Sequence, residues 1–474
     1  MSLFVSRCSI ACAMLLVAIE LPGGVSVACS ESACDLQSRI DAVAASGGGR
    51  VVVPPGRHVV SGLLLRSNVE LHLSEGAVLE GAPTTNGYPI VELPCSEGRW
   101  MAVVMAVGQT NVAVTGKGEI FGNGTAFPQP ANYGNLQEGW RPRGLFFGNC
   151  RGVWLKEFKL RDCGSWGCVV QRCTDVEIRG LVIDNHANAN NDGIDIEAFN
   201  AVIADCDIDA GDDAVCLKSN DPDFVSGNIL VSNVAARSHC ASLKIGTATH
   251  GICTNVLFVD CRIAAPRRDF PDLRPSGDKP IGSGWFYSPW RAEIFPPTRS
   301  GDLVNMSGIS IECVDGGWVE NVTCRNITIE DGVAEAIFVR GGMRTGRPTG
   351  AAPGKWHILR SVLFENVTGR VSSYVGNAIT GVVGFRVEDV TLRNVNLVFP
   401  GGGDTRRWAS RTIPELASQT PGTYMFEGPL PGYAVWARHV DGLTLENVSI
   451  TPIPNTTDSR KPFVVDDVTA YRQR

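Results

Sequence analysis

Short runs of β-branched and aliphatic residues, punctuated by Asn, Asp or Gly, recur along the chain. They read Asn111-Val-Ala-Val, Gly152-Val-Trp-Leu, Asp175-Val-Glu-Ile, Asn200-Ala-Val-Ile, Asn228-Ile-Leu-Val and Asn255-Val-Leu-Phe. From Gly152 onward their starts lie 23, 25, 28 and 27 residues apart. A loose period of this size marks a solenoid whose units stack one on the next. The cadence resumes at Trp318-Val-Glu-Asn-Val-Thr, Val362-Leu-Phe-Glu-Asn-Val, Val387-Glu-Asp-Val-Thr-Leu and Leu443-Thr-Leu-Glu-Asn-Val. A leucine-rich solenoid would need regular Leu and usually a helix per unit. Here Val, Ile and Thr dominate and no long 3.6-residue stripe occurs, so the pattern predicts an all-β parallel β-helix. Its coils stack at about 4.8 Å, which makes residues one coil apart into surface neighbours. One helix is predicted, Asp35 to Ala45, with Leu36, Ile40 and Val43 on one face and Gly47-Gly48-Gly49 ending it, placed to cap the first coil. Irregular stretches at 123–143, 264–306, 341–357 and 400–432 are too long for turns and are expected to form cleft walls.

The 474 residues, 44% apolar and 19% charged, suit a large globular core rather than a disordered chain. Residues 1–28 resemble an export leader: Arg7, an apolar run from Cys8 to Ile19, a break at Pro22-Gly23-Gly24, and a small-residue cut at Ser26-Val27-Ala28. That leaves 29–474 as one domain, expected to be secreted or periplasmic and monomeric. The apolar run is too short to span a bilayer, and no later segment supplies a span. Cys29 directly after the cut raises the question of lipidation. Sixteen cysteines fit an oxidising compartment. No Cys-x-x-Cys pair occurs, so zinc is not expected, and packing or disulfides between neighbouring coils accounts for Cys150, Cys163, Cys168 and Cys173. A net charge of −7 argues against nucleic acid, and an acidic polymer would have to be met by a local cation cluster.

Two segments carry paired acids, Asn190-Asn191-Asp192-Gly193-Ile194-Asp195 and Ala210-Gly211-Asp212-Asp213-Ala214-Val215. Asp192 and Asp213 are 21 residues apart, close to one coil, so folding should bring them onto one face. Neighbouring carboxylates raise one another's pKa, which lets one stay protonated beside another that is ionised. An Asn/Asp-rich turn ladder would produce similar segments without chemistry.

These two motifs resemble the Asn-Thr-Asp and Gly-Asp-Asp signatures of the polygalacturonases and their relatives, glycoside hydrolase family 28. The resemblance runs from Gly47-Gly48-Gly49-Arg50-Val51-Val52-Val53-Pro54-Pro55-Gly56 to the final coils. It implies a right-handed parallel β-helix that hydrolyses pectin-like polysaccharide with inversion and without a cofactor. It assigns Asp212 as general acid and Asp192 with Asp213 to water activation, with Asn190 beside them at the substrate. An inverting pair needs roughly 6.5–9.5 Å for that water. The family's Gly-His-Gly becomes Ser238-His239-Cys240, so His239 is expected to orient or tune the acid. The family's Arg-Ile-Lys becomes Ser310-Ile311-Glu312, a departure that removes two substrate cations. Lys218, Lys244 and Arg340, at strand ends in or beside the catalytic coils, are the candidates to replace them. Trp290 and Arg291, in the long insertion from Ala264 to Met306, could stack on sugar and pair with carboxylate. A polysaccharide lyase using Ca²⁺ and a non-catalytic carbohydrate-binding β-helix are the rival readings. Exact substrate and endo or exo action stay open.

Overall fold

The computed structural model describes residues 36–95, 97, 99–127, 141–268, 304–344, 357–402 and 405–474. The proposed leader, Cys29, and the loop residues Trp290 and Arg291 lie outside the described residues.

The recurring punctuation of the sequence becomes a column of left-handed corners. Asn111, Asp175, Asn200, Asn228, Asn255, Asn321, Ser361 and Asp389 all have φ between 53° and 59°. Gly152 and Gly442 fill the same corner at 71° and 86°. Asn and Asp tolerate this conformation because their short polar side chains bond locally. Here they bond along the stack: Asn228 donates to Asn200 at 3.2 Å, Asn255 to Asn228 at 3.3 Å, and Asn321 to Asn255 at 3.4 Å. A second corner carries its own ladder, with Asn366 donating to Asn326 at 2.9 Å, Asn394 to Asn366 at 3.0 Å, and Asn447 to Asn394 at 2.9 Å.

Immediately after the first corner, Val153, Val176, Ala201, Ile229, Val256, Val322, Val362, Val390 and Leu443 pair in parallel register from coil to coil. All are buried and form one inward stripe of a continuous core. Among the described residues, twenty-nine strands join in a single sheet wound as a right-handed parallel β-helix. The exception is a small antiparallel hairpin, Val91–Glu92 with Arg99–Trp100, which lies outside the sheet. The helix Leu36–Ala45 buries Leu36, Ile40 and Val43 against the first coil and ends where the Gly48 N–H meets the Val43 carbonyl. No described helix is long and apolar enough to cross a membrane.

A third face of the coil positions the acids. Its inward column is Leu145, Cys168, Ile194, Val215, Leu243, Ile309 and Ile337, all fully buried. Period-two alternation sends the flanking residues outward. One step on, Asp195, Cys216, Lys244 and Ser310 form an outward row, and Glu312 pairs with Arg340 farther along. The described cysteines are free thiols, buried except for Cys95, and Cys150, Cys163, Cys168 and Cys173 pack within the core rather than forming the disulfides also allowed by the sequence.

Candidate active site

Two residues before that inward column, at the mouth of each coil, stand Arg143, Trp166, Asp192, Asp213 and Ala241 in succession. The paired-acid motifs therefore meet as expected. They are stitched together through the backbone: the Gly211 N–H donates to the Asn185 and Asn191 carbonyls at 2.8 and 3.0 Å, and the Gly193 N–H to the Asp213 carbonyl at 2.8 Å. Gly193 is required by close approach, since a Cβ there would lie 2.5 Å from the Ala214 carbonyl oxygen. The Asn191 side chain pins the turn from within, donating to the Ser165 and Cys163 carbonyls at 2.7 and 2.9 Å. Asn190 faces the acids, donating to Asp212 at 3.4 Å, while its own oxygen accepts from Arg141 at 3.3 Å.

The four carboxyls differ in what meets them. Asp213 is the best compensated: one oxygen accepts from the Lys244 ammonium at 2.8 Å and the other from the Ala241 N–H at 3.1 Å. Asp212, half-buried, is raised to about 6, by burial first and then by Asp213, with Lys244 opposing. Asp195 is raised to about 7 by burial, against the pull of Lys218 at 3.4 Å. Asp192 is pushed well above the carboxylate range by burial and then by Asp195, Asp212 and Asp213, and its buried Oδ1 has no hydrogen-bond partner. Four acids this close share protons, so each titration step belongs to the cluster.

Two of the three expected cations join this cluster. Burial opposes the charge on Lys244, but the acids around it, Asp213 at 2.8 Å foremost, more than offset that and hold it well above the ordinary lysine value. Lys218 is held charged in the same way, against burial, by Glu97 and Asp195, and its ammonium sits 4.2 Å from the Trp166 ring centroid. Arg340 departs from expectation. It is fully buried away from the acids, donating to Thr380 Oγ1 and the Gly381 carbonyl at 3.3 Å each and to the Leu416 carbonyl. Burial pushes it down to about 10, which suits a core-fixing group rather than a substrate hand. Glu312, which stands where a cation was expected, is sealed beneath Thr420. Its carboxyl accepts from Ser310 Oγ at 2.9 Å and from Thr420 Oγ1, and burial raises it, so its negative charge does not face the cleft as the sequence suggested.

His239 is also placed differently. Its Nε2 meets the Arg268 carbonyl at 2.8 Å, and its ring stands edge-on to His186, 5.6 Å between centroids. His186 in turn contacts Asp209 at 2.9 Å. From this coil the acids are met by the next residues, the Cys240 thiol and the Ala241 N–H. Ligand-type atoms of Asp212, Asp213 and Cys240 lie within 4.8 Å of one another. A cation there would compete with Lys244, and burial keeps the Cys240 thiol protonated.

Sequence reasoning missed Trp166, Arg143 and Glu97. The Arg143 guanidinium lies 4.4 Å from the Trp100 ring centroid and 5.8 Å from that of Trp166, and burial followed by Arg141 lowers it to about 9. Glu97 reaches Lys218 at 3.2 Å across 121 residues of sequence, a pairing no local motif announces.

With this geometry in view, a family model described as glycosyl hydrolases family 28 matches residues 75–266, the stretch that contains Asp192, Asp195, Asp212 and Asp213. The chain resembles the family 28 hydrolases. A grapevine protein called a probable polygalacturonase is 27% identical over 196 residues, 39% of this chain. A probable polygalacturonase of Arabidopsis thaliana is 28% identical over 145 residues. The matched stretches span 40% and 29% of the length of those two relatives. Among solved structures, the family 28 exopolygalacturonase of Yersinia enterocolitica superposes with a TM-score of 0.62 at 16% identity, over 92% of this chain and 74% of that one. The polygalacturonase of Erwinia carotovora gives 0.54 at 16% identity, over 94% and 96%. At such identities the family 28 structures establish the shared β-helix fold.

Proposed function

We propose that the protein is a family 28-type glycoside hydrolase that cleaves a uronate-containing, pectin-like polysaccharide. The observation that carries this reading is the contrast between Asp212 and Asp213. One carboxyl is raised to about 6 and half-open to the cleft, while its neighbour has both oxygens held by an ammonium and a peptide N–H. Asp212 donates its proton to the glycosidic oxygen as the bond to the departing sugar breaks. Asp213, held by the Lys244 ammonium, accepts the proton of a water that Asp192 helps to orient, and the resemblance to family 28 assigns inversion at the cleaved carbon. Asn190 steadies Asp212. His239 acts as a positioning residue, fixing the strand that delivers Cys240 and Ala241 to the acids. Lys244 and Lys218 hold the sugar carboxylates, with Trp166 as a stacking surface, in place of the absent Arg-Ile-Lys.

The names of the matched relatives support a polygalacturonan as first substrate. Residues 1–28 are read as an export leader and 29–474 as the catalytic unit, acting as a monomer outside the cytoplasm. Incubation with polygalacturonic acid and a panel of pectic fragments should release reducing sugars, with inverted anomers seen by NMR immediately after cleavage. Products absorbing as unsaturated sugars would instead mean β-elimination. Unchanged fragments bound with measurable affinity would mean a binding module.

A further inference from the structure

The small hairpin outside the sheet ties down one end of the groove. Trp100 stacks on Phe146 at 5.0 Å and approaches Trp166 at 5.4 Å, so it lies across the outer face of the coils upstream of the acids. From the same hairpin the Cys95 carbonyl accepts from Gln171 at 3.4 Å, and Glu97 reaches farther, to Lys218 in the coil of Asp213. The other end is covered by the segment between Ile413 and Leu430. Its Thr420 hydroxyl bonds to Glu312, its Thr423 N–H donates to Glu335 at 3.2 Å, and its Leu416 carbonyl takes the Arg340 guanidinium. Ile413, Met425, Phe426 and Leu430 then pack on Phe338 and Trp436 of the outer face, giving this cover a hydrophobic core of its own.

We propose that these two covers stop the groove on both sides of the acids, so that the enzyme works on chain ends and releases short products instead of cutting within the polymer. This rests on the hydrolase reading above. Among the described residues, the outward face between the covers is limited to the coils of Asp192, Asp213 and Lys244. At about 4.8 Å per coil that is about 15 Å of groove, room for a few sugar rings. Internal cleavage requires the polymer to continue past the acids in both directions. Here the upstream path meets the hairpin, whose Trp100 is packed on Phe146 and Trp166 and whose Glu97 is bonded to Lys218 over the coil of Asp213, and the downstream path meets the apolar cover. A polymer can therefore enter only by an end.

The test uses purified polygalacturonic acid and a defined galacturonate octamer labelled at its reducing end. Chain-end action predicts monomer or dimer from the first time point, labelled products of few sizes, and little fall in viscosity while reducing ends accumulate. Replacing residues 93–98 by Asn-Gly, which shortens the hairpin and removes Glu97, should produce intermediate oligomers and a faster viscosity loss per bond cleaved. If the unaltered protein gives a ladder of oligomers and an early viscosity collapse, the closed groove is wrong although hydrolysis stands. If neither substrate yields reducing ends, the hydrolase reading fails and this inference with it. A shortened protein that does not fold leaves the decision to the product profile of the unaltered one.

Discussion

Replacing Lys244 by Met removes an ammonium but keeps most of the apolar stem. Lys244 and Asp213 are 4% and 5% exposed, and their charges meet at 2.8 Å. At an effective dielectric of 20 their attraction is about 6 kcal/mol. Burial of both ions cancels part of this, but removing one partner leaves a buried carboxylate met by the Ala241 N–H and the neutral Cys240 thiol, and such losses run at about 3–5 kcal/mol. The sign with pH is definite. In the variant, Asp213 can escape its isolation by taking up a proton, so the penalty should be full near pH 8 and should shrink toward pH 4. Urea unfolding at the two pH values measures it directly. The double variant with Asp213→Asn should recover most of the loss at pH 8, because the carboxylate stranded by the loss of Lys244 is then gone. Equal destabilisation at both pH values, or none at pH 8, would refute the ion pair as the organiser of the acid cluster. Activity read on the same variant should fall through both kcat and KM, since this ammonium is assigned to Asp213 and to the substrate.

Asp212→Asn should lower kcat by about 10²–10⁴-fold with the unfolding midpoint little changed, and a rate near that of the unaltered protein would remove Asp212 as the acid. Because Asp212 must carry its proton, kcat/KM should decline as pH rises through about 6, the value to which burial and then Asp213 raise it; a flat profile from pH 5 to 8 would contradict this. Asp195 and Glu197 at about 7 and Glu335 at about 8, all raised chiefly by burial, hold protons in the folded state that the unfolded chain releases at lower pH. Their stabilisation is complete below about pH 4 and is lost as pH rises through 7–8, so Tm should drop over that window. Gly369→Ala should destabilise strongly, because φ is +136° and the new Cβ would stand 1.8 Å from the Ile329 carbonyl oxygen; an unchanged Tm would mean that the coils part easily there.

The β-helix was legible because its period is written in residues with a backbone reason to recur. The Asn, Asp and Gly that punctuate the sequence occupy left-handed corners, and the valines beside them fill one inward column. Asp192, Asp212 and Asp213 were legible for the same reason, being one coil apart. What was not legible depends on long reach or on rotation of a side chain. His239 and Cys240 are adjacent, and only the coil's geometry decides which of them faces the acids. Lys244 and Arg340 look alike as strand cations, yet one pairs with Asp213 and the other is sealed beneath the Leu416 carbonyl. Glu97 lies in a segment with no periodicity at all, so nothing in its neighbourhood points to Lys218.

The corner ladders also bear on how such a chain can change over time. Asn255 and Asn321 are separated by 66 residues, yet their side chains meet as closely as those of Asn228 and Asn255, which are 27 apart. Each corner re-registers the strand that follows it, so the length of the excursion between corners is mechanically invisible to the next coil. Insertions and deletions can therefore accumulate in the walls without moving the floor. A lineage could trade one wall for another, and with it the polymer it accepts, while the aspartates stay at fixed positions on the same stack.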